Sequence, residues 1–360
     1  MGTDRELILN VLKVFGLGAF SFVAAIALTP ILTNFLYSHK MWRKSARTLA
    51  ADGAGTPIFN SLHKEKEVST PRLGGLLIWV TALGTALVFW LLAASTNLPL
   101  FDKLNFLSRD QTWLPLVLLV AAALLGLADD LFQIYEKGSY NGGGIGLTRR
   151  IAFIFIIAAV GALWFHYKLG WHTIYIPLVG VFNICGWYIP LFIVTTLATF
   201  SGGVIDGIDG LAGGVFASIF AAYGGIAFFQ HQINLATFCI VIAGAILAFL
   251  WFNIPPARFY MSETGTMGLT VALTTVAFLT DSVAVLPIIG FLLVIESLSV
   301  IIQFASKRWR GKKVFLVAPI HHHLEAKGWP GYKVTMRFWV ISIVFAIMGM
   351  VVALIGRPGL

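Results

Sequence analysis

The amino-acid sequence predicts an all-α, polytopic membrane protein with about ten transmembrane helices. Of its 360 residues, 58% are hydrophobic and only 11% are charged, whereas about 25% of residues are charged in soluble proteins. The mean hydropathy is +0.86. Charge-free stretches of roughly 20 residues, each long enough to cross a bilayer as a helix, recur along the chain. These observations exclude a water-soluble domain, and residues 1–360 are predicted to form one integral membrane domain.

Ten apolar stretches bounded by charged residues give the predicted helices in order. The first stretch lacks a signal-peptide cleavage pattern and is expected to be retained, and the eighth and ninth are divided at Asp281. Cys185 and Cys239 both fall in apolar stretches, so neither a disulfide nor a cysteine metal site is expected. The predicted helices lie near residues 8–37, 73–96, 113–128, 151–169, 181–200, 211–230, 235–252, 266–280, 282–304 and 338–355.

The distribution of Lys and Arg predicts the orientation of these helices. The loops at 38–72, 129–150, 201–210, 253–266 and 305–337 carry 7, 3, 0, 1 and 8 of these residues, 19 of the 25 in the chain. Because cytoplasmic loops are enriched in Lys and Arg, these five loops are predicted to be cytoplasmic and both termini extracytoplasmic. The net charge of +9 is then explained by topology and by contact with membrane lipids, and no nucleic-acid partner is expected.

The same five loops also contain ten of the sixteen carboxylates. Asp129 and Asp130 follow the third predicted helix directly, where the helix dipole disfavours negative charge. We therefore expect a cationic group beside them. The alternative is a solvated helix end with no function.

A second acidic motif lies in the glycine-rich run from Ser201 to Gly214. If residues 206–209 form the first turn of the sixth helix, Asp206 and Asp209 share one face about 5–6 Å apart. The glycines beside them let a ligand approach the backbone, and free amide groups at a helix N-terminus suit a phosphate. The alternative is an Asp-Gly turn with a helix cap, which accounts for one Asp but not for both.

The fourth and fifth loops contribute further polar groups. Residues 251–266 include Asn253, Tyr260 and Glu263, although an aromatic residue at a membrane interface is more often part of the aromatic belt. Three consecutive histidines occupy 321–323. They cannot all face one metal ion from a regular helix or strand, so an anionic ligand such as a diphosphate suits them better. The neighbouring Lys and Arg at 307–313 are explained equally well by membrane anchoring.

All four motifs are predicted to lie on the cytoplasmic face of the membrane. Carboxylates that converge there need cations to remain ionised together. A ligand set of Asp and Glu without Cys favours Mg²⁺, which proteins hold through one or two carboxylates and the phosphates of a substrate. Magnesium with flanking basic groups is typical of phosphoryl transfer.

These residues, in their order and spacing, resemble the polyprenyl-phosphate N-acetylhexosamine-1-phosphate transferase superfamily. The match extends from TPRLGG at 70–75 to RFW at 337–339, and its most specific string, APIHHH at 318–323, looks like the muramoyl branch. The resemblance implies that undecaprenyl phosphate attacks the β-phosphate of UDP-N-acetylmuramoyl-pentapeptide, which gives lipid I and UMP with Mg²⁺ as cofactor. It also implies a multi-pass protein of the bacterial inner (cytoplasmic) membrane that acts in peptidoglycan synthesis, with homodimers as a possible state.

The resemblance also implies a role for each matching residue. Asp129 and Asp130 would serve the lipid phosphate, with Asp129 as a base or positioning group, and Asp130 would join Glu263 as a magnesium ligand. The nucleotide pocket would be lined by Asp206, Gly207, Ile208 and Asp209. The uridine would be held by Asn253 and Tyr260, and the diphosphate by His321, His322 and His323. Lys66, Thr70 and Gln303 complete the predicted substrate-binding set.

The sequence departs from the family pattern at several of these positions. Gln133 replaces a Lys, Gly203 replaces an Asn, and Glu263 replaces the magnesium-binding Asp with a side chain one methylene longer. The family's Lys before Thr70 has no clean counterpart, since Glu67 takes its register and Lys66 lies one residue away. These changes leave open a catalytically impaired relative.

Two other functions are also compatible with the sequence. A related transferase could use another UDP-N-acetylhexosamine. An anionic-lipid transporter would also combine acidic and basic groups, but it would place more ionisable residues at the membrane midplane. Here only Glu296 lies well inside a predicted helix, and we assign it a structural pairing role because a lipid-facing carboxylate is costly.

Overall fold

The computed structural model describes residues 2–46, 55, 57, 61, 63, 67–108, 111–138 and 143–355. Within them the chain is helical apart from one two-stranded antiparallel hairpin, β1 (Thr173–Ile176) and β2 (Gly180–Asn183). The α-helices are α1 (Gly2–Ser38), α2 (Gly75–Ser95), α3 (Pro99–Leu104), α4 (Trp113–Ile134), α5 (Leu147–Leu163), α6 (Tyr188–Ser201), α7 (Leu211–Phe229), α8 (Ile233–Asn253), α9 (Ser262–Leu279), α10 (Leu286–Ile289), α11 (Phe291–Arg310), α12 (Ile320–Ala326) and α13 (Gly331–Ile355).

The described residues confirm an all-α polytopic membrane protein. Eight helices are long and apolar enough to cross a membrane, and a bent pair formed by Val283–Ile289 and Phe291–Arg310 gives up to nine. Helix α9, at the eighth predicted position, is not among them. It is less apolar than the others because it contains five threonines and Glu263, and it avoids lipid because every residue in it except Glu263 is buried.

The threonines of α9 are accommodated by bonds within the helix itself. The hydroxyl groups of Thr266, Thr270 and Thr274 each donate to the carbonyl oxygen four residues earlier, at 2.8–3.2 Å. A buried hydroxyl without a partner would be destabilising, and these bonds satisfy each one locally. The helix can therefore pack on all sides within the membrane domain.

Glycines let α9 approach its neighbours at backbone distance. A Cβ atom on Gly126 of α4 would lie 2.5 Å from the carbonyl carbon of Glu263 and 2.7 Å from the amide nitrogen of Thr264. A Cβ atom on Gly75, at the start of α2, would likewise collide with the backbone of Gly265. These two contacts fix the first turn of α9, which carries Glu263, against α2 and α4.

Several predicted boundaries were wrong. Helix α4 continues to Ile134 rather than ending at 128, so Asp129 and Asp130 lie inside its last two turns. The predicted helix at 181–200 begins as strand β2, and its helical part starts only after a short 3₁₀ turn at Cys185–Trp187. The predicted helix at 282–304 bends by 78° at Gly290.

The five loops predicted to share one side of the membrane do meet. Arg72 contacts Asp130, Arg150 contacts Glu263, and the amide of Ser262 bonds to Asp206. The hairpin lies at the other end of α9, where the amide of Tyr175 donates to Asp281. The 18 residues of α9 separate these two ends by about 27 Å.

Candidate active site

Asp130 lies at the centre of the site and is fully buried. Its Oδ1 accepts hydrogen bonds from Arg72 Nη2 at 2.9 Å and Nε at 3.2 Å, and its Oδ2 accepts one from the amide of Thr264 at 2.9 Å. The cation expected beside the two aspartates is therefore present. The arginine allows the carboxylate to be buried, and burial allows α4 to continue past it.

Asp129 is also buried, and it is held by a separate set of donors. Its Oδ2 accepts a hydrogen bond from Gln133 Nε2 at 2.7 Å and lies 3.5 Å from Arg150 Nη1. The Oε1 atom of the same Gln133 accepts a hydrogen bond from the buried guanidinium of Arg43. Arg43, which bonds to Gln133, and Arg150 together supply the positive charge near Asp129 that the family's Lys would bring.

Glu263 is the most accessible of these acidic side chains, with 27% of its side chain exposed. It lies in the first turn of α9, and its Oε1 is 2.7 Å from Arg150 Nη1. The guanidinium of Arg150 therefore lies between Glu263 and Asp129. This arginine links the exposed carboxylate to the buried one.

Residues 206–209 do not form the first turn of a helix, and α7 begins at Leu211, as predicted for the helix at 211–230. The shared helical face considered for Asp206 and Asp209 is therefore not found. Residues 206–209 form a turn between a 3₁₀ segment at Gly202–Ile205 and α7, and Gly210 ends it with a φ of 78°. Asp206 Oδ2 accepts a hydrogen bond from the amide of Ser262 at 2.7 Å, and burial raises the pKa of Asp206 to about 6. Asp209 Oδ2 instead accepts a bond from the amide of Ala257 at 3.3 Å. The two aspartates therefore face different parts of the fourth loop.

Asn253 and Tyr260 have different positions relative to this turn. Asn253 is buried, and its amide accepts a bond from the Gly210 nitrogen at 3.0 Å and donates one to the Phe259 oxygen at 2.8 Å. Asn253 therefore links the loop that ends at Gly210 to the loop that contains Phe259. Tyr260 lines the open cavity, where burial raises its pKa to about 12 although a hydrogen bond with Thr70 opposes that shift.

The three histidines lie in the first turn of α12, after Pro319 and Ile320, and they diverge. His321 and His322 are buried. A Cβ atom on Gly207 would collide with His321 Nε2 and would lie 2.9 Å from His322 Nε2, so both rings face the 206–209 turn. His323 points elsewhere, and its Nδ1 accepts a bond from the amide of Leu316 at 3.1 Å.

Two carboxylates hold the Nδ1 atoms of the two buried histidines. Glu296 Oε2 lies 3.0 Å from His321 Nδ1, and Glu325 Oε2 lies 2.7 Å from His322 Nδ1. The structural partner predicted for Glu296 is therefore a histidine of the site. Each imidazole is oriented by its Nδ1 side and presents Nε2 to the glycine turn.

These groups surround a cavity of about 760 Å³. Its polar lining includes Arg72, Arg150, Asp206, Glu263 and His322, and apolar side chains line it as well. Gln303 contributes to the lining and also holds the segment after α11, because its Oε1 accepts bonds from the amides of Val314 and Phe315 at 3.0 Å. The apolar lining comes from α5, α6, α11 and the turn after α6: Leu147, Ile151, Leu197, Phe200, Val204, Val300, Ile301 and Phe304.

The structure brings about half of the predicted site residues to the cavity wall. Those that line it are Asp206, Gly207, Ile208, Tyr260, Glu263, Gln303 and His322. Those that lie behind it or beside it are Thr70, Asp129, Asp130, Asp209, Asn253, His321 and His323. Lys66 lies outside the described residues.

Sequence reasoning missed the two arginines that neutralise the acidic cluster. Arg72 lies inside the string at 70–75, and its position in that string could have identified it as a site residue. Arg150 was counted only as part of the positive charge of a cytoplasmic loop. Arg43 and Glu325 were missed in the same way, since a loop charge gives no sign of its partner in the fold.

The fold and the site define a polytopic membrane transferase, and residues 112–281 match the model of glycosyl transferase family 4. The phospho-N-acetylmuramoyl-pentapeptide-transferase of Levilactobacillus brevis is 37% identical over 334 residues, which cover 91% of this chain and 98% of that protein. Those of Geobacillus thermodenitrificans and Listeria monocytogenes are each 33% identical, over 92% and 81% of this chain and 95% and 86% of theirs. The chain belongs to the phospho-N-acetylmuramoyl-pentapeptide transferase family.

Proposed function

We propose that this protein transfers phospho-N-acetylmuramoyl-pentapeptide from UDP to undecaprenyl phosphate, which yields lipid I and UMP. The observation that carries the proposal is the cavity, whose lining combines arginines, carboxylates and a histidine with apolar side chains from membrane helices. A substrate pair made of a water-soluble nucleotide and a lipid needs both. The names of the bacterial relatives support the same reaction, and we place it in the inner membrane.

In the proposed reaction, an oxygen of the lipid phosphate attacks the β-phosphorus of the UDP-sugar. A new P–O–P bond forms, the bond from the bridging oxygen to the β-phosphorus breaks, and UMP leaves with that oxygen. A lipid phosphate is already ionised at neutral pH, so the attack needs little help from a base. Positioning and neutralisation of charge are then the main tasks of the protein.

Arg72 and Arg150 suit these tasks because both line the cavity and both are fixed by buried aspartates. Each guanidinium carries five N–H donors in a planar fork that matches phosphate oxygens. Asp129 and Asp130 hold these arginines from behind the wall. We therefore propose that the two aspartates act mainly as positioning residues and that the arginines contact the phosphates.

The turn at 206–209 and Tyr260 form the part of the wall that suits the nucleotide. Gly207 has no side chain, so a diphosphate can reach the backbone between Asp206 and the two buried histidines. His321 and His322 present Nε2 there, and we propose that they contact the diphosphate. Asn253 would then support the uridine subsite by fixing the loops on either side of it.

Magnesium fits the donor set of the site, with Glu263 as its protein ligand. Glu263 faces the cavity, whereas both oxygens of Asp130 already accept hydrogen bonds. Carboxylate oxygen is the ligand type that Mg²⁺ selects, and the ion usually keeps waters and substrate phosphates as its other ligands. When bound, it would neutralise charge on the diphosphate. The longer side chain of Glu263 reaches this position while it also contacts Arg150.

The test is lipid I formation by the purified full-length protein with UDP-N-acetylmuramoyl-pentapeptide and undecaprenyl phosphate. The proposal expects a lipid-linked product and stoichiometric UMP. UDP-N-acetylglucosamine, offered in parallel, should give neither. Transfer from UDP-N-acetylglucosamine alone would assign the protein to the related transferases, and no transfer from either nucleotide would contradict the proposal.

A further inference from the structure

A second cluster of ligating side chains lies beside the acidic site. His63 Nε2 is 2.9 Å from Glu325 Oε2, and His322 Nδ1 is 2.7 Å from the same oxygen. Ligand atoms of all three residues lie within 4.8 Å of one another. His63 comes from a segment 262 residues away from Glu325. His322 and Glu325 are neighbours on one helix, whereas the fold brings His63 to them from a distant part of the chain.

The donor set differs in kind from that of the acidic site. Two imidazole nitrogens and one carboxylate oxygen form a set that is common for Zn²⁺, whereas Mg²⁺ prefers oxygen ligands alone. Tetrahedral zinc with bonds of about 2.0–2.2 Å has its ligands roughly 3.3 Å apart. The two separations from Glu325 Oε2 are a few tenths of an ångström shorter, and all three ligand atoms lie within 4.8 Å of one another, so small rotations of the three side chains bring them to these distances.

Two hydrogen bonds now occupy the ligand atoms of the cluster. His63 Nε2 and His322 Nδ1 both bond to Oε2 of Glu325. An ion that enters the cluster replaces both bonds, and each imidazole then carries its proton on its other ring nitrogen, which leaves the ligating nitrogen free.

The position of the cluster connects it to the cavity. His63 and His322 both line the cavity wall, and Nε2 of His322 faces Gly207. The same imidazole ring therefore belongs to the cluster through Nδ1 and to the diphosphate subsite through Nε2. An ion on Nδ1 would fix this ring and place positive charge next to the subsite.

We propose that His63, His322 and Glu325 form a binding site for a divalent ion of the zinc class, and that its occupancy inhibits transfer by immobilising His322. The inhibition rests on the proposed transferase function. The binding does not, so the two parts are tested separately.

The binding experiment uses the tag-free, full-length protein in detergent, with Mg²⁺ present and Zn²⁺ added in a calorimetric titration. Co²⁺ absorption reports the coordination geometry. We expect one zinc site of micromolar or tighter affinity, weakened at least tenfold in His63→Gln and in Glu325→Gln. His39→Gln removes an exposed histidine that directly follows the end of α1 and should leave the affinity unchanged.

Size-exclusion profiles and circular dichroism establish that each variant is folded, and Glu325→Asp serves as a conservative second variant that should retain part of the affinity. Failure of the wild type to bind Zn²⁺, or equal affinity in His63→Gln and wild type, overturns the proposal. An equal loss in His39→Gln also overturns it, since binding would then not be specific to the cluster.

The inhibition experiment compares turnover with and without Zn²⁺ for each protein, as a ratio. Wild type should be inhibited at the concentrations that fill the site, and His63→Gln should need at least tenfold more Zn²⁺. Bound zinc without inhibition would overturn the inhibitory role alone. A wild type that binds Zn²⁺ but shows no turnover under any condition would contradict the proposed transferase function and leave the metal site standing.

Discussion

Glu296 Oε2 lies 3.0 Å from Nδ1 of His321, and both side chains are completely buried. The carboxylate comes from α11, which runs past the site because the chain bends by 78° just before that helix. The two groups are in contact without the geometry of a hydrogen bond, so the carboxylate acts on the imidazole through its charge and its position. Glu296 therefore acts on the site through His321.

Replacement of Glu296 by Gln tests this relationship. Gln has the same length but no charge, so it should hold His321 less firmly, and we expect turnover per folded molecule to fall about 10–100-fold, as for other residues that orient a functional histidine. If Glu296 acts through the ring, the same change in a His321→Asn background should have little further effect. Independent losses in the double variant, or an effect on stability alone, would return Glu296 to the purely structural role assigned from the sequence.

Arg72→Met should destabilise the fold through Asp130. Removal of one partner of a buried ion pair leaves an uncompensated charge, which costs about 3–5 kcal/mol. Asp130→Asn in the same chain removes that charge, so the double variant should unfold at a higher temperature in detergent than Arg72→Met does. A double variant no more stable than Arg72→Met would show that the pair is not the cause.

Gln133 and Arg43 can be exchanged to test whether they act together on Asp129. Gln133→Lys alone replaces the amide oxygen that accepts the hydrogen bond of Arg43 with a second cation. The lost bond and the repulsion between the two cations should lower the melting temperature, although the new ammonium can still contact Asp129. The double variant Gln133→Lys with Arg43→Gln again has one cation and one amide at these two positions. It should recover most of the lost melting temperature. If the melting temperature of the double variant falls by the sum of the two single decreases, Gln133 and Arg43 do not act together on Asp129.

Two glycines form a matched pair for the packing of α9. Gly126→Ala puts a methyl group against the backbone of Glu263, which cannot yield as a side chain can, so we expect a loss of about 1–3 kcal/mol and lower turnover. Gly84→Ala in α2 meets nothing within 4 Å and should be neutral or stabilise the helix by about 0.5–1 kcal/mol. Thermal unfolding and turnover of both variants check this. Equal stabilities would mean that the α4–α9 contact is looser than described.

The sequence predicted the order and approximate positions of the membrane helices because charge-free length is a local property. It predicted ten of them, whereas eight or nine in the described residues are long and apolar enough to cross a membrane. It also predicted which loops meet, since all of them lie on one side of an alternating chain. The orientation of that side in the membrane stays a prediction.

Pairings between distant side chains could not be read from the sequence. Arg72 and Asp130 are 58 residues apart, and nothing local to either one names the other. The helix end predicted at 128 was wrong because two buried aspartates inside a helix need a partner such as the buried arginine. The local sequence does not show that partner. The start of α7 at 211 was predicted, but the partners of Asp206 and Asp209 were not, because both aspartates bond to amides of another loop.

The central claim is that Glu263 is the magnesium ligand of a phosphoglycosyl transferase. It is tested most directly by UMP release from UDP-N-acetylmuramoyl-pentapeptide and undecaprenyl phosphate as Mg²⁺ is titrated, for wild type, Glu263→Asp and Glu263→Gln. We predict magnesium-dependent turnover by the wild type and a loss of at least 100-fold, about 2.7 kcal/mol, in Glu263→Gln. A silent wild type beside an active Glu263→Asp, or full activity of Glu263→Gln, would contradict the account.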